Sequence, residues 1–184
     1  MFSFFDRFKS SSDSSKLLER KLNYNFRNKQ LLQIAITHKS INSKPNHNYE
    51  RFELVGDSVI NLIVTEWLSK KYPDDNEGDL TTKRASLVNT YFLSKISNIL
   101  NLEENIIISK GVDMKNDVVS RNINADMYES ITRALFLDSN FNFAKQFVLN
   151  TLIENYQLSE KNLNHKGILI EFCHKEYNKP PIFN

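Results

Sequence analysis

Two short stretches of this chain concentrate acidic side chains at helical spacing: Glu50-Arg-Phe-Glu53-Leu-Val-Gly-Asp57 and Asp126-Met-Tyr-Glu129. At about 3.6 residues per turn, Glu50, Glu53 and Asp57 stand at i, i+3 and i+7 and project from one helix face. Asp126 and Glu129 share a face in the same way. Carboxylates on otherwise apolar helices are costly to bury unless a cation neutralises them. A donor set of oxygens, with no His or Cys, suits Mg²⁺ or Mn²⁺ rather than zinc. A hard cation polarises a phosphoryl oxygen, lowers the pKa of an attacking water and stabilises a leaving alkoxide. Hydrolysis of a phosphodiester is therefore the chemistry these residues predict, and no nucleophilic side chain is required.

Acidic residues at such spacing are often no more than a solvated helix face. The neighbours here argue for packed surroundings: Val55 and Val59 beside one set, Tyr128 and Leu135 beside the other. Gly56, unfavourable by roughly 1 kcal/mol against alanine inside a helix, predicts a close backbone approach next to Asp57. The lesser signals read more plainly. His38 is expected as a packed residue outside the acidic cluster. Glu171-Phe-Cys-His174 has the Glu-x-x-His spacing of di-iron bundles, but without a second copy it reads as helix surface. Cys173 reads as a small hydrophobe. Lys83, Arg84, Lys110, Lys115 and Arg121 are candidate phosphate contacts, each of which alone is also an ordinary solvated charge.

The elements that must position the acids are helical. Apolar residues recur at helical spacing in Leu17–Leu18–Leu22, Leu31–Leu32–Ala35–Ile36 and Tyr91–Leu93–Ile96–Leu100. The longest helix is expected from about Asn48 to Lys70, central, buried and apolar on more than one side. Tyr72-Pro73 and the turn after it end that helix. A further helix opens around Asp79 to Thr82, where Asp and Thr can cap free N–H groups. Gly111 to Arg121 reads as a polar loop, followed by helices from about Asn124 to Leu137 and from Phe143 to Tyr156. Ile106–Ile108 is the one β-branched run, and it is short.

Composition excludes more than it proves. The chain has 184 residues, 24 Lys and Arg against 22 Asp and Glu, and one cysteine. The charge balance announces no nucleic-acid binder, so any such surface must be local. One cysteine permits no internal disulfide, and with no secretory or membrane-spanning segment visible a cytoplasmic location is expected, with no membrane partner. Residues 1–15 read as a flexible leader, with Ser10 to Ser15 as a polar linker.

These motifs carry a family resemblance. Glu50-Arg-Phe-Glu-Leu-Val-Gly-Asp57-Ser-Val resembles the ribonuclease III signature, usually ERLEFLGDSVL. Ala35-Ile-Thr-His-Lys-Ser40, Glu77-Gly-Asp-Leu-Thr-Thr-Lys-Arg84-Ala-Ser-Leu-Val-Asn89 and Ala125-Asp-Met-Tyr-Glu129-Ser are similar to the family's "LTHRS", "EGELTKLRASLVN" and "ADTFEA" segments, in the same order. The resemblance implies an all-α endonuclease domain over residues 16–158. It also implies a metal-dependent endoribonuclease that cuts double-stranded RNA during RNA processing, including that of rRNA. Glu53, Asp126 and Glu129 would be ligands to Mg²⁺, with Mn²⁺ as a substitute. Asp57 would join Glu129 as a catalytic residue positioning the water, and Glu50 would support the site or its RNA contacts. The family acts as a homodimer whose two sites cut opposite strands, leaving 5′-phosphates and short 3′ overhangs. Its signature helix forms much of the interface.

Residues 162–184 resemble the opening of a double-stranded RNA-binding domain, an α/β module of which only the first helix and the entry to the first strand would fit. Two departures stand near Glu129: Ser130 replaces an alanine, and Arg133 replaces the glycine of "EALIGA". Arg133 shares a face with Asp126 and Glu129, so it either competes with the cation for a carboxylate or lies deeper and leaves the site alone. The alternative function is a non-catalytic RNA-binding or ribosome-associated protein on the same fold. Retention of all five acids favours the enzyme.

Overall fold

The computed structural model describes residues 12–160, with positions 173, 177 and 179 beyond them. The segment resembling an RNA-binding domain, and the leader before Ser12, lie outside the described residues. Those residues form helices α1 (Ser12–Lys21), α2 (Lys29–Ala35), α3 (Glu50–Lys71), α4 (Glu77–Val88), α5 (Thr90–Ile99), α6 (Asp117–Asp138), α7 (Phe141–Val148) and α8 (Gln157–Glu160). A 3₁₀ turn at Glu103–Asn105 precedes α6, and a π-helical turn at Leu149–Ile153 follows α7. No strand occurs among the described residues. The Ile106–Ile108 run contributes only an isolated parallel bridge between Thr37 and Ile107.

Local chemistry accounts for most of the helix starts, and four helices begin earlier than expected. The Asn76 side chain accepts from the Asp79 N–H, so α4 begins at Glu77 rather than around Asp79. The Asn116 side chain accepts from the N–H groups of Val118 and Val119, so the last five residues of the expected Gly111–Arg121 loop are the first turn of α6. At the N-terminus, Ser12–Ser15 belong to α1 instead of a linker, and residues 12–15 therefore leave the expected leader. The helix expected from Phe143 to Tyr156 begins earlier, capped by Asn140, and widens into the π turn.

The core lies where α3 and α6 cross. Ile60, Ile63 and Val64 of α3 meet Met127, Tyr128, Ile131 and Leu135 of α6 in a cluster from which water is excluded. Burying a side chain of that size contributes about 1.5–3 kcal/mol each. The more enclosed of the two helices is α6. α3, expected to be central, buried and apolar on more than one side, buries one flank in the core and leaves Leu54 and Leu62 69% and 59% exposed.

Three hydrogen bonds fix the segment leading into α3. The Ser130 hydroxyl donates to the free carbonyl of Ala35 at the end of α2, 2.6 Å away. The residue that departs from the family's alanine is thus a bolt between α6 and α2. The His38 N–H donates to the Ile107 carbonyl, and the Tyr49 N–H to the Thr37 carbonyl. The loop carrying His38, Lys39 and Tyr49 is thereby held over the N-terminus of α3.

Candidate active site

The acidic faces of α3 and α6 meet because the two backbones touch. A Cβ placed on Gly56 would lie 1.9 Å from the carbonyl oxygen of Glu129 and 2.5 Å from its carbonyl carbon. Only a residue without a side chain permits that approach. One turn before Gly56 stands Glu53, with Asp57 directly after it, and the contact on α6 is Glu129 itself.

Glu53, Asp126 and Glu129 each bring a carboxylate oxygen within 4.8 Å of the others. All three are partly buried. Burial, reinforced by Asp126 and Glu50, pushes the Glu53 carboxyl up to about 7. Burial together with the charges of Asp57, Asp126 and Glu53 pushes Glu129 up to about 8. Asp126 is raised by burial, partly offset by a hydrogen bond from the Tyr49 hydroxyl at 3.2 Å. Three carboxyls this close and partly desolvated resist ionising together, and a bound cation would relieve that cost. The donor set, all carboxylate oxygen, fits a hard divalent ion.

Asp57 and Glu50 border this trio without joining it. Asp57 accepts from the Asn61 side-chain amide at 2.7 Å, one turn along α3, and its charge acts directly on Glu129. Glu50 stands at the rim, paired with Lys39 at 2.9 Å. All five sequence-predicted acids are thus gathered in one region, the three expected ligands at its centre.

A family model for ribonuclease-III-like proteins matches residues 28–156, the span from the cap of α2 to the end of the π turn and its following residues. The chain belongs to the ribonuclease III family of endoribonucleases. It is 43% identical over 145 residues to ribonuclease 3 of Aliarcobacter butzleri, covering 79% of this chain and 63% of that protein. Ribonuclease 3 of Fusobacterium nucleatum is 35% identical over 173 residues, covering 90% of this chain and 74% of the relative. Among solved structures, the nuclease domain of ribonuclease III from Campylobacter jejuni superposes with a TM-score of 0.68 at 40% identity, covering 77% of this chain and 98% of that one. That structure concerns flexibility in a region involved in dimer formation. The chain spans somewhat under two thirds of the Aliarcobacter relative and about three quarters of the Fusobacterium one.

On this ribonuclease III fold the structure adds residues that sequence reasoning left without a role. Tyr49 is buried and hydrogen-bonded to Asp126, and Lys39 sits over Glu50 with the charges of Glu53 and Asp126 also acting on it. The only signal for either is position: Tyr49 directly precedes Glu50, and Lys39 lies within the Thr-His-Lys-Ser segment. His38 is a packed residue, as expected. Its ring lies edge-on to Tyr49 with centroids 5.6 Å apart, and its Nδ1 accepts from the Ser40 N–H.

Arg133 takes the second of its two possible positions. Its guanidinium lies over the Phe136 ring, 5.2 Å from the centroid, and no ion pair joins it to Asp126 or Glu129 among the described residues. Burial alone lowers its pKa. Of the candidate phosphate contacts, Lys83 is paired with Asp75 and Arg84 donates to the Thr65 hydroxyl. Lys110 and Lys115 are exposed. No helix among the described residues is long and apolar enough to cross a membrane.

Proposed function

We propose that this chain is a metal-dependent endoribonuclease that hydrolyses phosphodiester bonds of double-stranded RNA, acting in the cytoplasm in RNA processing, including that of rRNA precursors. The observation that carries this reading is the trio of Glu53, Asp126 and Glu129, closed by the Gly56–Glu129 backbone contact. These three residues would hold Mg²⁺, or Mn²⁺ in its place. A divalent ion bound there supplies Lewis acidity toward a phosphoryl oxygen and neutralises charge developing on the leaving group. Asp57 would join Glu129 in positioning the attacking water, the charge of Asp57 acting directly on Glu129. Asn61 fixes the Asp57 carboxylate by its amide, and Tyr49 fixes Asp126. Glu50 and Lys39 form the rim over which the RNA backbone enters.

The exposed side of α3 supports a homodimer. Leu54 and Leu62 lie on one helix, and apolar side chains so exposed on a long helix are what a partner surface covers. Two sites related by a two-fold axis would cut opposite strands and leave 5′-phosphates with short 3′ overhangs.

The test is incubation of the chain with long double-stranded RNA and Mg²⁺, with product ends mapped and with single-stranded RNA and double-stranded DNA as controls. Staggered cuts in double-stranded RNA alone are expected. A protein that binds the duplex but leaves it intact at every Mg²⁺ and Mn²⁺ concentration would instead be a non-catalytic member of the family.

A further inference from the structure

Four of the five acids at the site have no basic partner among the described residues. The exception is Glu50, whose Oε1 stands 2.9 Å from Lys39 Nζ, and no other ion pair reaches the cluster. The charge of Lys39 also acts on Glu53 and Asp126. Cations that the sequence offered as phosphate contacts are engaged elsewhere: Lys83 with Asp75, Arg84 with the Thr65 hydroxyl and Arg121 over the Tyr91 ring. The backbone carrying Lys39 is fixed on both sides. The His38 N–H donates to the Ile107 carbonyl at 2.9 Å, and Ser40 Oγ accepts from the Ser109 N–H at 3.1 Å. The Ser40 N–H in turn donates to His38 Nδ1 at 3.0 Å. The side chain, by contrast, is 61% exposed and its partner Glu50 45%. An ion pair in so much water is weak and exchanges readily. Lys39 is thus a cation on a fixed base whose head is free to change partners.

The partner that displaces Glu50 follows from charge. Five carboxylates outnumber the two charges of a divalent ion, so the site repels a polyanion even when such an ion is bound. A duplex reaching it needs a positive side chain at the rim, and Lys39 supplies one. Resting on the endoribonuclease reading, we propose that Lys39 is a phosphate-binding residue held in reserve by Glu50. Its ammonium is paired with Glu50 in the free protein and passes to a backbone phosphate of the duplex entering the site. The contact is to the phosphate and carries no base preference. The same positive charge opposes a divalent cation at Glu53 and Asp126, so Lys39 strengthens RNA binding at the expense of metal affinity. The two halves of the pair therefore act on RNA with opposite sign: removing Lys39 removes a phosphate contact, whereas removing the charge of Glu50 releases Lys39 to make it.

The test measures binding rather than cleavage. Fluorescence anisotropy of a labelled RNA duplex, in EDTA and across a series of salt concentrations, is recorded for the whole chain and for Lys39→Met, Lys39→Arg and Glu50→Gln. Lys39→Met should bind about five- to tenfold more weakly near 0.1 M salt and lose about one unit from the slope of log affinity against log salt. Lys39→Arg keeps the charge and should keep the slope. Glu50→Gln should bind at least as tightly as the wild type. In a second measurement without RNA, Mn²⁺ binding followed by electron paramagnetic resonance should be tighter in Lys39→Met by about twofold or more. An unchanged salt slope in Lys39→Met, a loss in Glu50→Gln equal to that in Lys39→Met, or Mn²⁺ affinity that stays level or falls would each overturn the proposal and leave the pair as a structural clasp. A wild-type chain that neither binds nor cuts the duplex overturns the endoribonuclease reading and this proposal together. Normal cleavage by the wild type, with an unaltered slope in Lys39→Met, overturns this proposal alone.

Discussion

Gly56→Ala is the substitution for which local and tertiary reasoning predict opposite signs. Within an isolated helix the change is favourable by about 0.8–1 kcal/mol, because alanine loses less backbone entropy. In this fold the new Cβ meets the Glu129 carbonyl oxygen at 1.9 Å, and both partners are backbone, so no side chain can rotate away. Opening that approach to the 3.4 Å of ordinary contact moves α3 and α6 apart by about 1.5 Å. Overpacking of this kind costs about 1–3 kcal/mol and sometimes more, which outweighs the helix gain. For a chain of this size each kcal/mol is worth about 2–4 °C, so a fall in Tm of several degrees is expected. The functional loss is larger in proportion, since the displacement separates Glu53 and Asp57 from Glu129. A misplacement of about 1 Å is enough to reduce catalysis on the order of 100-fold. Thermal denaturation and single-turnover cleavage measure the two effects. Gly111→Ala is the control, because its Cβ would meet nothing nearer than the Ser109 hydroxyl at 3.9 Å. A Gly56→Ala protein with raised Tm and wild-type cleavage would refute the helix contact as the device that assembles the site.

Other perturbations test separate parts of the structure. Glu129→Gln and Asp57→Asn should each abolish cleavage while the protein stays folded, and the rise in Tm that Mg²⁺ gives the wild type should disappear in Glu129→Gln, as scanning fluorimetry would show. Leu62→Glu places a charge in the exposed apolar stripe of α3 and should shift the protein from dimer to monomer at micromolar concentration by light scattering. Asp138 accepts from the N–H groups of Arg27 and Asn28, at 2.7 and 2.8 Å, and from the Tyr24 hydroxyl at 2.9 Å. Burial works to raise its pKa, but those hydrogen bonds outweigh burial and hold it below the ordinary carboxylate value. Its stabilisation is therefore present above the unfolded pKa, about 3.9, and is lost as the pH falls toward the folded value. Asp138→Asn should cost about 2 kcal/mol at pH 7 by urea denaturation, with the difference from wild type shrinking below about pH 4.

What the sequence determined by itself is what local spacing determines. A period of 3.6 residues put Glu50, Glu53 and Asp57 on one face and Asp126 and Glu129 on another, and nothing in the tertiary structure could have separated members of either set. Gly56 announced a close approach because glycine within a helix needs a compensating reason. The motif order carried the family with it. Only the tertiary structure decided which surfaces meet. Glu53 and Glu129 are 76 positions apart, and what joins them is the packing of α3 on α6, to which no short window of sequence refers. The raised carboxyls follow from that packing, since desolvation and mutual repulsion exist only once the faces are opposed. The same holds for Tyr49 against Asp126 and Lys39 against Glu50. Arg133 shows the limit most directly. Helical geometry placed its Cα on the acidic face, but a long side chain goes where burial and a ring will receive it, and it lies over Phe136. The helix starts were missed for the opposite reason: Asn76 and Asn116 are polar residues in polar stretches, and their capping bonds become distinguishable from loop chemistry only when the turn after them has folded.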